Sequence, residues 1–142
     1  NHYSICNSEM QHQEKQDILT DKDIELLVLT FYERVQQNDR LNFIFNDFAQ
    51  LDWTHHLPKM IDFWSNIVFQ TGRYTGNPYQ KHLHLPIKES DFEIWFNLFI
   101  QTTDELFSGE RANHSKDIAH KVASMFIMRM KMDGFLKQTI DE

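Results

Sequence analysis

Apolar side chains recur at helical steps along this chain, and little interrupts them. Ile24, Leu27, Val28, Phe31 and Val35 form one such series, and Leu57, Met60, Ile61, Trp64 and Val68 form a second. Phe92, Trp95, Phe96 and Phe99 make a third, and Ile118, Val122, Met125 and Phe126 a fourth. Spacing of this kind turns one stripe of each helix inward. Only four Gly and three Pro stand among 142 residues, which disfavours a turn-rich strand architecture. The expectation is an all-α fold.

Local signals divide the series into helices. Thr20 with Asp23 reads as an N-cap with an acid in the first turn, and Gln36 to Asp39 ends the first helix. The connection holding Leu41, Phe43, Phe45 and Phe48 is too rich in Phe for a solvated loop. Trp53 to Phe69 reads as the next helix. Pro58 costs it a hydrogen bond and is tolerable if the first turn is distorted. Gly72 to Gly76 breaks the pattern, and Pro78 to Leu85 leaves room for about two turns before Pro86. A strong helix starts at Glu89 or Ser90 and ends near Gly109. The last runs from about Ala112 to Met132 and stops at Asp133-Gly134. Residues 1–20 are a polar extension, expected to be flexible, and 21–142 a single domain without repeat or linker.

Charge and cysteine content remove several function classes. A formal charge of −7 without a Lys/Arg cluster argues against nucleic acid. Apolar runs such as Asn66 to Phe69 are far shorter than a membrane helix, and the first twenty residues lack the apolar segment of a signal peptide. Cys6 alone cannot form an internal disulfide, so a reducing cytoplasm is expected. There is no Gly-rich phosphate loop, Cys-x-x-Cys pair or nucleophile elbow. His55-His56 and His82-x-His84 lack the accompanying carboxylate or thiolate spacing of a zinc site.

What remains is a set of histidines and aromatics. His82 lies between a Gly break and Pro86, a short segment able to present an imidazole rigidly, with His84 as its competitor on another face. Haem iron takes one proximal imidazole and leaves its other side open for a ligand. His56 shares the side of its helix with Met60, Phe63 and Ile67, either as a core histidine or as a distal donor. His55, about a quarter turn away, reads as solvated. Tyr32 and Trp95 read as core aromatics or as O–H and N–H donors to a ligand that gains negative charge. Phe45 and Phe48 could stack on a flat macrocycle. Arg73, Tyr74, Tyr79 and Lys81 could meet haem propionates or stand as solvated surface. Met125, Met128, Met130 and Met132 read as core and rim rather than as an axial ligand.

Several segments, in order, resemble the truncated haemoglobins, and within them the third group. They are Phe31-Tyr32, His56 to Trp64, Arg73 to Pro78, Lys81 to Pro86 and Phe92 to Phe99, within a match from about Asp21 to Gly134. Pro58 is similar to what that group carries. The resemblance implies a globin-like two-over-two helical sandwich with a reduced first helix. It implies His82 as the proximal ligand of haem b iron, and Tyr32, His56 and Trp95 as distal donors. It also puts Met60 facing the ligand and Phe45 against the haem; Phe48, Phe63, Arg73, Tyr74, Tyr79 and Lys81 are the further pocket residues expected from the sequence itself. Met60 departs from the smaller aliphatic residues expected there.

The implied function is binding of dioxygen, nitric oxide or carbon monoxide. Two hydrogen bonds to a charged ligand contribute about 3 kcal/mol together, which slows release. Slow release suits redox chemistry better than transport. Nitric oxide dioxygenation or peroxidase-like turnover is therefore the first alternative, with electrons from a separate reductase because the chain has no flavin or NAD motif. A haem-free helical interaction module is the second. A further variant has His56 itself on the iron.

Overall fold

Thr20 opens the first helix, α1 (Asp21–Gln37), through a reciprocal cap. Its hydroxyl accepts the Asp23 N–H at 3.3 Å, and the Asp23 carboxylate accepts the N–H groups of Leu19 and Thr20 at 2.8 and 3.1 Å. Each bond satisfies an amide that the helix start would leave orphaned. The computed structural model describes residues 15–48, 50–72 and 87–133. Ile24, Leu27, Val28, Phe31 and Val35 are all buried, as their spacing predicts.

The Phe-rich connection is itself helical. Asn38 caps a four-residue helix, α2 (Asp39–Asn42), accepting from Arg40 N and Leu41 N, and a π-helical turn Phe43–Phe48 follows. Asp52 then caps α3 (Trp53–Phe69), which runs through Pro58 unbroken. Pro58 stands early enough that only the bond to the Thr54 carbonyl is forfeited. Among the described residues two long helices follow, α4 (Glu89–Leu106) and α5 (Glu110–Asp133).

The chain forms an all-α globin fold of two layered pairs. α1 packs on α3 and α4, while α5 packs on α4 and α3. Phe31, Trp64 and Phe99 lock the layers together. Trp64 stacks on Phe99 at 4.5 Å between centroids, and Phe31 meets Phe99 edge-on at 5.2 Å. Arg34 of α1 adds polar ties to Thr102 and Glu105 of α4.

Two details differ from the sequence reading. Residues 15–20, the end of the polar extension, are held against the domain: Ile18 is fully buried, and Ser108 N–H donates to the Gln16 carbonyl at 3.0 Å. Asp17 accepts the N–H groups of Arg111 and Ala112 at 2.9 and 2.8 Å, so it caps α5 from far away in sequence. Gly109, which precedes α5, has no side chain to do so. A Cβ there would lie 2.5 Å from the Asp17 carboxyl carbon.

The second difference is the face of α5. Met125 was expected inward, and Met125, Met128 and Met132 as core and rim. These three are exposed, and of the four methionines read as core and rim only Met130 is buried. The buried stripe runs through Ala112, Ser115, Ala119, Ala123, Phe126 and Met130. Met125 sits about 100° around the helix from Phe126 and so leaves that stripe.

Candidate functional site

The layered pairs leave a cavity to which all five described α-helices contribute. Its empty space, with the solvent at its open mouth included, is about 800 Å³. Tyr32 comes from α1, Leu41 from α2, and Ile44 and Phe45 from the π-helical turn. His56, Met60, Phe63 and Trp64 follow at helical steps along α3. The opposite wall is Ile87, then Asp91, Phe92 and Trp95 of α4, closed by Val122, Ala123 and Phe126 of α5.

The lining is apolar apart from a few groups. Tyr32 is 5% exposed, and its ring meets Phe31 at 4.8 Å, which fixes its direction. His56 lies edge-on to Tyr32 at 5.7 Å, so phenol and imidazole, carried by different helices, stand side by side. Trp95 packs edge-on to Phe31 at 5.6 Å and stacks on Phe99 at 6.1 Å. The sequence-predicted Tyr32, His56, Met60, Trp95, Phe45 and Phe63 thus meet at one cavity. His55 is exposed, as its position on the helix predicts, with its Nε2 3.9 Å from Asp52.

Other expected residues lie outside the described part of the chain. These are Arg73, Tyr74, Tyr79, Lys81 and His82, with the competitor His84; the Phe48 side chain is in the same position although its backbone belongs to the π-helical turn.

Two features went unnoticed in sequence. Asp91, 3% exposed, is a carboxylate in an otherwise apolar wall. Arg40 holds it through Nε–H and Nη2–H at 2.9 and 3.0 Å, and Lys88 N–H donates to it at 2.8 Å. The fork satisfies both carboxylate oxygens and ties α2 to the start of α4. Asp91 stands four residues before Trp95 and so shares its face, a weak signal that could have flagged it. The other is Trp53, which no spacing argument singled out.

The residues present fit a flat, largely apolar cofactor. Aromatic and aliphatic walls suit the faces of a macrocycle, and O–H and N–H donors cluster at one place among them. Among the described residues no group of three or more His, Cys, Asp or Glu could hold a bare metal ion.

A curated relative, the group 3 truncated hemoglobin ctb of Campylobacter jejuni, is 32% identical over 116 residues. The match spans 79% of this chain and 91% of that protein. The chain belongs to the group 3 truncated haemoglobins. The crystal structure of a group III truncated hemoglobin from Campylobacter jejuni superposes with a TM-score of 0.74 at 31% identity, covering 81% of this chain and 94% of that one. No family model matches. Membership in this group of haemoglobins implies haem binding. Among the described residues no helix is long and apolar enough to cross a membrane.

Proposed function

We propose that this truncated haemoglobin binds haem b and, through it, dioxygen and other diatomic gases such as nitric oxide and carbon monoxide. The observation that carries the reading is the meeting of Tyr32 and His56, 5.7 Å apart between rings, with Trp95 at one apolar cavity. Non-covalent haem b is the form this chain suits, because its single Cys6 rules out the Cys-x-x-Cys-His attachment of c-type haem. When bound, haem supplies an iron whose open side coordinates a diatomic gas.

The chain's own residues have separate tasks. His82 would hold the haem iron, on the resemblance of the Lys81 to Pro86 segment to this group. Phe45, Phe48 and Phe63 would pack against the macrocycle. Arg73, Tyr74, Tyr79 and Lys81 would bind the propionates. Tyr32, His56 and Trp95 donate hydrogen bonds to a ligand carrying partial negative charge. In a water-poor cavity such bonds exceed their worth in solution. Met60, longer than the branched aliphatics expected there, narrows the ligand's space.

Slow release follows from these donors and favours turnover over transport. A cytoplasmic setting and a separate reductase complete the proposal. The test is the dioxygen release rate in Tyr32→Phe, which removes the hydroxyl and keeps the ring. One hydrogen bond to a charged group contributes about 1.5 kcal/mol or more, so release should accelerate about tenfold or more. An unchanged rate would contradict the donor role. Reductase-dependent consumption of nitric oxide, measured alongside, would place the protein among enzymes rather than binders.

A further inference from the structure

Trp53 does not line the cavity, yet it touches three residues that do. Its rings meet Tyr32 at 5.6 Å and 53°, His56 at 5.5 Å and 77°, and Phe45 at 6.0 Å and 71°. Its own edge is held as well. The indole Nε1–H donates to Asn46 Oδ1 at 2.5 Å, and Asn46 in turn donates to Asn42. Trp53 is also the first residue of α3, whose start is fixed by the Asp52 cap.

The three touched residues belong to three elements: Tyr32 to α1, Phe45 to the π-helical turn and His56 to α3. Two donors on separate elements act on one small ligand only if their relative placement is set closely, to within about half an ångström. Neighbouring aromatics set it by edge-to-face packing. A ring anchored by a directional hydrogen bond has one orientation, and rings packed against it inherit that orientation.

We infer that Trp53 is a positioning residue that holds the Tyr32 phenol and the His56 imidazole in fixed register, so that both donors act on one ligand. The inference rests on the haem-dependent ligand binding proposed above. Phe45 joins the same cluster, so the wall expected to flank the haem is registered to the donors as well. The Asn46–Asn42 chain extends the anchor into α2.

Two readouts test this. The first needs no haem: the pH dependence of tryptophan emission in the purified full-length chain. A protonated imidazole touching an indole quenches it. Emission should fall when acid protonates that imidazole. His56→Gln and Trp53→Phe should each remove that step, and a step of undiminished size in Trp53→Phe would overturn the inference.

The second readout is dioxygen release from the haem-loaded chain. Tyr32→Phe should accelerate release about tenfold in the native background but less than about threefold in Trp53→Leu. Trp53→Phe, which keeps a ring, should restore most of the Tyr32→Phe effect. Equal factors in both backgrounds, with haem content unchanged, would show that Trp53 only fills space. A wild-type chain that takes up no haem yet keeps the emission step would sink the proposed function and still support the placement role.

Discussion

Replacing Asp17 by Ala should cost the domain about 2 kcal/mol, although the residue lies outside the cavity and outside every helix. Its carboxylate accepts two N–H groups at the start of the 24-residue α5, from Arg111 at 2.9 Å and Ala112 at 2.8 Å. Loss of a side-chain cap costs about 1 kcal/mol, and a negative charge at a helix start contributes up to about another 1 kcal/mol. For a chain of this size each kcal/mol moves the midpoint by about 3 °C, so thermal unfolding followed by far-ultraviolet circular dichroism should fall by about 6 °C.

The pH dependence has a definite sign. Burial pushes the Asp17 carboxyl up, but the N–H groups of Arg111, Ala112 and Ile18 and the Arg111 charge outweigh it and hold it below the ordinary aspartate value. A folded-state pKa below the unfolded one stabilises above the unfolded value, about 3.9. That stability is lost as pH falls through the folded pKa. The gap between native and Asp17→Ala should therefore be full at neutral pH and close in acid. Asp17→Asn, which keeps an acceptor but no charge, should fall between them. A gap that persists undiminished well below the folded pKa, or a midpoint that does not move at neutral pH, would refute the reasoning.

Two other substitutions probe packing. Trp64→Ala removes a side chain that is 1% exposed and stacked on Phe99, and should cost about 3–5 kcal/mol in denaturant unfolding. Met128→Gln, on the exposed side of α5, should change stability by less than about 0.5 kcal/mol; a larger loss would show that the Met face is covered.

The helices were legible because their signals are local. Thr20 and Asp23 stand three residues apart, and the apolar series of α1 repeats within one helix. The bounds of α3 follow from its apolar pattern despite Pro58. Tyr32, His56 and Trp95 were legible by type as candidate donors, and the order of their segments matched a known group. What stayed hidden depends on contacts between distant parts of the chain. Asp17 reaches across 94 residues to Arg111, and Arg40 across 51 to Asp91. No periodicity encodes either pair. On α5 the long methionines drew attention, whereas Ala119 and Ala123 form the close-packed stripe. Small residues permit approach and leave little hydrophobic signal. Trp53 escaped notice because its partners come from three elements, and only the fold brings them together.

The central claim is that this chain carries haem on His82. The direct measurement is the visible absorption spectrum of the purified protein beside His82→Ala, with haem counted as the pyridine haemochrome. The account predicts one haem per chain in the wild type, lost or loosely held in the variant. A wild-type chain that takes up no haem on reconstitution, or a His82→Ala variant with full haem content and an unchanged spectrum, would contradict it.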